Sequence, residues 1–213
     1  MRSRSHVRST LHALAVAAAL ACALHVQAAD APPVAANHEI KDPHYGDTLF
    51  HFFQSHYFTS VTTLMASQQF DRVSHHADEA EVLRGGMLLS YGLHREAGEI
   101  FARLIEKGAA PKVRDRAWYF LAKIRYQRGY LAEAEEAVAR IENNLPPNLE
   151  EERGLLQANL LMARSDYTGA AAVLDAMSAK APGARYARFN LGIALIKVGD
   201  TARGSTEIGR AHV

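Results

Sequence analysis

The sequence predicts an all-α fold, a superhelix built from antiparallel pairs of helices, and three observations support this. Beyond residue 40 the apolar residues recur at three- and four-residue spacing, with few alternating β-branched runs, which is the pattern of amphipathic helices. A set of small, turn and apolar residues then repeats about every 34 to 37 residues. The composition, 48% hydrophobic and 22% charged, is that of an ordinary soluble globular protein, so extensive disorder is not expected.

The first 28 residues predict a cleaved secretory signal peptide. Three arginines in the first eight residues precede an apolar stretch, Ala13 to Leu24, and Val26-Gln27-Ala28 then offers a cleavage position. A bilayer-spanning helix needs ~20 consecutive apolar residues, and this stretch is shorter. We therefore expect a signal peptide over 1–28, a flexible segment over 29–43, and a mature protein in the periplasm of a Gram-negative bacterium.

The only cysteine, Cys22, lies inside this leader, so the mature protein would contain no thiol. The alternative is a lipid-modified N-terminus at Cys22, but Ala19-Leu20-Ala21 lacks the leucine that usually lies three residues upstream of such a cysteine. Removal of the leader takes away three of the 24 basic residues and none of the 23 acidic ones. The remaining charge does not indicate nucleic-acid binding.

The last six residues, 208–213, resemble the translation of a common short-read sequencing adapter. We predict that this tail, Ile208-Gly209-Arg210-Ala211-His212-Val213, is not native. The last repeat would then lose its second helix at residue 207, and the natural array would continue beyond it.

The repeat is clearest in the middle of the chain. Ala122 and Ala134 lie where the two helices of a hairpin would approach most closely, and larger side chains would force them apart. Gly129 favours the left-handed backbone that closes the first helix. Pro146 cannot continue a helix, so we expect it to end the second helix and to start the next unit.

This combination resembles the tetratricopeptide repeat (TPR) family. The unit of that family has a large aromatic, a leucine and a small residue in helix A, a turn glycine, an alanine in helix B and a closing proline. These positions are filled here by Trp118, Leu121, Ala122, Gly129, Ala134 and Pro146. The resemblance covers about residues 44 to 203 and implies a right-handed solenoid of antiparallel helical hairpins with an inner and an outer surface.

The same frame recurs on both sides of this unit. The upstream matches are Gly85, Leu88, Gly92, Ala97, Phe101 and Leu104. The downstream matches are Ala158, Leu161, Ser165, Ala170, Leu174, Met177 and Pro182, with serine in place of the turn glycine. A further unit opens at Leu191-Gly192 and turns at Gly199-Asp200.

A fainter unit precedes these, with helices through Leu49 and through Val61 and a turn near Ser55-His56. It lacks the small residue and the turn glycine, so we predict an atypical or capping repeat whose register stays open. The predicted units are 44–69, 78–111, 115–148, 151–184 and an incomplete 185–207, within a repeat domain over 44–207.

The resemblance implies a partner-binding groove on the concave face, because the inner positions of helix A follow fixed offsets. In the two central units these offsets fall on Arg116, Tyr119, Lys123, Tyr126, Asn159 and Met162. Two tyrosines beside two cations would suit an extended peptide with an acidic or C-terminal carboxylate group. The alternative is that the cations form a solvated helix face and that the tyrosines pack on neighbouring hairpins.

Two other clusters have competing interpretations. Histidines are frequent in the first half of the mature chain, and His75 and His76 with Asp78 and Glu79 are conceivable metal ligands. No i, i+4 histidine pair or HExxH pattern is present, which favours polar surface histidines and no bound metal. The aromatic run from Phe50 to Phe58 could be a hydrophobic docking site, but aromatic residues at helical spacing are more often buried, so we predict that the run packs in the core or between hairpins.

The functional prediction is therefore a scaffold that catalyses nothing, needs no cofactor and binds another protein or peptide. No nucleophile elbow, phosphate loop or dinucleotide-binding fingerprint occurs in the sequence. Exported repeat arrays suggest, by analogy of fold alone, a place in a secretion, polysaccharide-export or outer-membrane assembly. The alternative is an enzyme or a metal-handling protein that uses the histidine-rich N-terminal region.

Overall fold

The computed structural model describes residues 39–180 and 184–211, and these contain ten α-helices, one short 3-10 helix and no strand. The helices are α1 (Pro43–Phe53), α2 (Tyr57–Gln69), α3 (Ala77–Ser90), α4 (His94–Glu106), α5 (Pro111–Gln127), α6 (Leu131–Ala139), α7 (Pro147–Ala163), α8 (Tyr167–Lys180), α9 (Arg185–Lys197) and α10 (Thr201–Ala211). The 3-10 helix, Ser74–His76, runs directly into α3. The predicted all-α fold class is confirmed.

The helices form five hairpins, which we number as units 1 to 5 in chain order. In each unit the odd-numbered helix is helix A and the following even-numbered helix is helix B. Each helix packs against its neighbours in the chain, and helix A of unit 3 also packs against helix A of units 2 and 4. This stacking is required because one hairpin alone cannot bury its apolar face.

The turn inside each hairpin has the same backbone geometry in all five units. Its central residue lies in the left-handed region in every case: Ser55 (φ 61°), Gly92 (φ 79°), Gly129 (φ 81°), Ser165 (φ 65°) and Gly199 (φ 97°). The next residue then donates a hydrogen bond from its backbone N–H to the carbonyl oxygen five residues earlier. In unit 3 the nitrogen of Tyr130 lies 2.9 Å from the carbonyl oxygen of Arg125. Both features are those of a Schellman-type helix end.

The register of unit 1, which the sequence leaves open, is fixed by this turn. Counting from Ser55, the two crossing positions of the hairpin fall on Thr48 and Ser60, and both are fully buried. The hydroxyl of Ser60 donates to the carbonyl oxygen of Thr48 at 2.8 Å, so the two helices touch through small polar side chains. Unit 1 therefore has a crossing and a turn of the usual geometry, with threonine and serine at the crossing in place of alanine or glycine.

Unit 5 has both of its helices, because α10 continues through Ala211. Residues 208–211 of this helix belong to the tail that we predict is not native, so the incompleteness of the native unit stays a prediction. Its crossing residues are Gly192 and Gly204, and a Cβ on Gly192 would lie 2.7 Å from the carbonyl oxygen of Gly204. The adapter origin of 208–213 stays a prediction, and His212 and Val213 lie outside the described residues.

The buried core is continuous along the stack, because each apolar cluster draws on two successive units. Leu64 of α2 clusters with Ala80 and Met87 of α3, and Phe101 of α4 clusters with Val113 of α5. Clusters of the same kind join units 3 and 4 and units 4 and 5. The fold therefore has no single centre, and every unit is stabilised by its neighbours.

Two local expectations are wrong. Helix α6 ends at Ala139, well before Pro146, so this proline caps the start of α7 and does not end helix B. Most of the aromatic run is outside the core, since Phe50, Phe53 and Phe58 are 62%, 77% and 71% exposed. Only the intervening Phe52 packs against the core of unit 1. The second proline expected to close a unit, Pro182, lies outside the described residues.

Among residues 39–180 and 184–211, no helix combines the length and the hydropathy that crossing a membrane requires.

Candidate functional site

A groove lies between α5 and α7, the helices A of the two central units. Its volume is about 200 Å³, and it is lined by Tyr119, Lys123, Tyr126, Gln127, Glu152, Leu155, Leu156 and Asn159. We call it the α5–α7 groove. The structure thus brings together four of the six residues predicted to bind a partner.

A hydrogen-bonded cluster forms one wall of the α5–α7 groove. The hydroxyl of Tyr119 donates to Oε2 of Glu152, and the ammonium of Lys123 lies 3.1 Å from the same oxygen. Lys123 also lies over the ring of Tyr119, with Nζ 5.7 Å from the centroid. The cation predicted for this wall is therefore neutralised by a carboxylate, and the wall has no net positive charge.

The cluster changes the acidity of two of its members. Burial alone would raise the pKa of Glu152, but hydrogen bonds from Tyr119 and Lys123 and the charge of Lys123 outweigh it, so the pKa lies below its ordinary value. Burial, with the bond to the carboxylate, raises the pKa of Tyr119. Glu152 is thus ionised and Tyr119 neutral at physiological pH.

Tyr119 is only 1% exposed, so it supports the groove wall and offers almost no surface to a ligand. Tyr126, Gln127 and Asn159 are more accessible, because they are half-buried or exposed. Asn159 also accepts a hydrogen bond at 3.2 Å from the amide of Asn190 in α9, which fixes its side-chain orientation. The surface available to a ligand is therefore a phenol and two amides beside the Lys123–Glu152 pair.

The other two predicted groove residues lie elsewhere. Arg116 is half-buried, and the ionisable groups near it are the phenol of Tyr45 in unit 1 and the carboxylate of Glu79 in unit 2. Met162 packs against the core shared by units 4 and 5. Neither lines the α5–α7 groove. Sequence offsets alone do not distinguish these positions from the four that do.

The neighbouring histidines have structural contacts at the junction of units 1 and 2. His75 Nδ1 lies 2.8 Å from Oδ1 of the buried Asp42, and the ring of His76 stacks on Tyr45 with centroids 4.8 Å apart. Asp78 instead pairs with Lys107. Within the described parts of the chain, no three histidine, cysteine or acidic side chains are grouped as metal ligands.

Sequence reasoning missed a larger cavity of about 630 Å³ between α7, α8 and the start of α9. Its apolar lining includes Gly154, Leu155, Val173, Met177, Ala184 and Tyr186. One signal was present in the sequence, since Gly154 stands where unit 3 has the aromatic Trp118.

Comparison with known proteins gives matches in structure alone. No protein-family model matches the sequence, and no curated protein matches it. YrrB, described as a TPR protein with an unusual peptide-binding site, superposes with a TM-score of 0.57 and 13% identity, over 79% of this chain and 83% of its own. MamA superposes with a TM-score of 0.60 and 13% identity, over 78% and 92% of the two chains.

A thermophilic example gives the same result. TTC0263, a TPR protein of Thermus thermophilus, superposes with a TM-score of 0.55 and 15% identity, over 79% of this chain and 88% of its own. At such low identity these likenesses establish the fold and nothing finer. The resemblance inferred from the repeat offsets is confirmed at that level.

Proposed function

We propose that this chain, which has the tetratricopeptide-repeat fold, is a noncatalytic scaffold that binds an extended segment of another protein in the α5–α7 groove. The observation that carries the proposal is the groove itself, in which a phenol, two amides and an ion pair line one open surface between stacked helices. YrrB, with the same fold, is described as having a peptide-binding site. Amides and a phenol can hydrogen-bond to a peptide backbone and also pack against its side chains.

The structure changes the kind of peptide that we propose. Two unpaired cations would have favoured an acidic or C-terminal carboxylate group. Lys123 is instead paired with Glu152, and Arg116 lies outside the groove lining. We therefore propose recognition of the backbone and of uncharged side chains, with little dependence on salt, because the groove wall has no net charge to screen.

The test is peptide capture by the full chain with and without the groove surface. In the double variant Tyr126→Ala and Asn159→Ala, peptides selected by the wild type from a random array should bind about tenfold more weakly or worse, as expected for loss of a central contact. Both residues lie outside the Tyr119–Glu152 hydrogen bond, so the groove wall should stay intact. An unchanged binding profile would remove the groove from the proposal.

A matched control removes a different exposed surface. The double variant Phe50→Ser and Phe58→Ser deletes two of the exposed aromatic side chains of unit 1, far along the chain from the groove. Peptide binding should be unaffected by it. If this variant, and not the groove variant, loses binding, the aromatic surface of unit 1 is the binding site.

We also propose that the mature protein works in the cell envelope, as part of a secretion, polysaccharide-export or outer-membrane assembly. The support is the leader-like sequence over 1–28 and nothing in the fold. Periplasmic fractionation and mass spectrometry of the mature N-terminus test it. A mature chain that begins after Ala28 is expected, and an uncleaved chain in the cytoplasmic fraction would contradict the proposal.

A further inference from the structure

The wall of the 630 Å³ cavity includes a glycine at a repeat position that is aromatic in the preceding unit. Trp118 of α5 and Gly154 of α7 hold the same position in units 3 and 4, 36 residues apart. Trp118 is half-buried and packs against the core cluster shared by units 3 and 4. Gly154 has no side chain to do so, and it forms part of the cavity wall.

Residues that line the cavity are more exposed to solvent than the residues at the same repeat positions of unit 3. Ala137 and Ile141 are 0% and 9% exposed. The matching residues of unit 4, Val173 and Met177, are only half-buried and line the cavity. A Cβ on Gly154 would lie 2.8 Å from Sδ of Met177, so this flexible side chain takes up part of the space that the absent aromatic leaves.

The cavity and the α5–α7 groove share one wall residue, Leu155 of α7. The charged residues beside the cavity include Glu150 and Arg153, which are hydrogen-bonded to each other. Tyr186, at the other side, is 80% exposed. The groove and the cavity therefore adjoin at Leu155, so a segment bound in the groove has the cavity beside it as a site for one of its side chains.

We propose that this cavity is an anchor pocket for one large apolar side chain, aromatic or long aliphatic, of the peptide bound in the α5–α7 groove. The inference rests on the proposed function, since the groove supplies the backbone that carries the anchor. A cavity of about 150 Å³ already accommodates benzene, and ligand sites range from about 300 to 1,000 Å³, so the volume admits a whole aromatic side chain and the adjoining chain. Buried aromatic anchors of this kind dominate the affinity of many interfaces.

The test fills the pocket from two sides in the full-length chain. Gly154→Trp restores the aromatic of the repeat, and Ala176→Phe adds a ring from the exposed rim of α8 without altering a buried position. Ala139→Phe, at an exposed site on α6, is the matched control. Each variant is first checked by thermal melting, so that Ala176→Phe keeps the test valid if Gly154→Trp does not fold.

The probe is a displayed library of random dodecapeptides, selected on the wild-type chain. We expect the selected peptides to share one large apolar residue at a fixed place, and to bind Gly154→Trp and Ala176→Phe about 10- to 100-fold more weakly than Ala139→Phe. Peptides that bind the filled variants as tightly as the control would overturn the anchor pocket and leave the proposed function standing. If no peptide is selected, the proposed function fails, and the pocket with it.

Discussion

At the scale of single residues, the clearest departures from the repeat lie in the hairpin turns. Three of the five turns place glycine in the left-handed region, where it has no steric penalty, and two place serine there.

In α5 and α7, single residues determine the chemistry of the α5–α7 groove. The buried Tyr119 donates a hydrogen bond to Glu152, and the same carboxylate oxygen accepts a hydrogen bond from Lys123.

Replacing the strained serine of unit 4 should stabilise the chain. Ser165 has φ 65° and is exposed at the tip of the turn, so glycine relieves backbone strain there without opening a cavity. We expect Ser165→Gly to raise the free energy of unfolding by about 0.5 to 1 kcal/mol. Urea denaturation measures it, and Gly129→Ser should show the opposite sign. A destabilised Ser165→Gly would contradict the assigned turn.

The groove wall should make stability depend on pH through Glu152. Its pKa is lower in the folded chain than the ordinary value of 4.5, so its contribution is present above that value and is lost as the pH falls through the folded pKa. Glu152→Gln should therefore be less stable than the wild type at pH 7, and the difference should shrink below about pH 4.5. The effect will be small, because 45% of the side chain is exposed.

Denaturation curves at pH 7 and pH 3 measure this difference. Glu151→Gln changes an exposed carboxylate on the same turn of α7 and is the control. If the free energies of unfolding of Glu152→Gln and the wild type differ as much at pH 3 as at pH 7, the ionised carboxylate of Glu152 is not the source of the difference.

At the scale of helices, the crossings and the connections set the geometry of each unit. Small residues occupy the two crossing positions in all five hairpins, from Thr48 and Ser60 in unit 1 to Gly192 and Gly204 in unit 5. The connection from α6 to α7 depends on a buried carboxylate instead. Asp115 of α5 is fully buried, and its Oδ2 accepts hydrogen bonds from the backbone and side-chain nitrogens of Asn144 at 3.0 and 3.2 Å.

Removing this carboxylate should loosen the connection between units 3 and 4. Asp115→Ala leaves the backbone N–H of Asn144 without its acceptor, and we expect a loss of about 1 to 3 kcal/mol. Asp115→Asn keeps an acceptor oxygen and should lose less. Amide hydrogen exchange gives the local readout, since the N–H of Asn144 should exchange faster in Asp115→Ala. Equal protection in all three proteins would show that the bond does not hold the connection.

At the scale of the whole molecule, stability is distributed along the stack. Each core cluster is shared between successive units, so a defect in a central hairpin weakens contacts on both of its sides. The same stacking exposes the inner face of helix A and places the α5–α7 groove between two units. A binding surface in this fold is therefore a product of the array and not of any one hairpin.

Widening the central crossing should destabilise the whole array. Ala122 and Ala134 are both fully buried, and leucine at both positions would force α5 and α6 apart. We expect a loss of at least about 2 kcal/mol, which lowers the melting temperature by about 5 °C or more. The control, Ala132→Leu with Ala139→Leu, adds the same side chains at exposed positions of α6. Equal melting temperatures for the two double variants would refute the nested hairpins.

Residue spacing is informative where a hairpin imposes a steric demand. The offsets between crossing and turn residues located units 2, 3 and 4 and the start of unit 5, because those positions must be small or left-handed wherever a hairpin closes. For unit 1 they left the register open, since Thr48, Ser55 and Ser60 meet the same steric demands without the alanine and glycine of the pattern. The groove residues were predicted in part, because the offsets give the face of a helix and not what a neighbouring helix covers.

The sequence by itself determined the helical repeat, since the size of a residue at a crossing and its freedom at a turn are local properties that spacing preserves. Only the tertiary structure decided which inner-face residues line a groove, that Lys123 is paired with Glu152, and that the absent aromatic at Gly154 leaves a cavity. The physical reason is that charge pairing, burial and empty volume depend on side chains brought together from separate helices. Their distances are set by how the units stack, and no single segment of the chain encodes them.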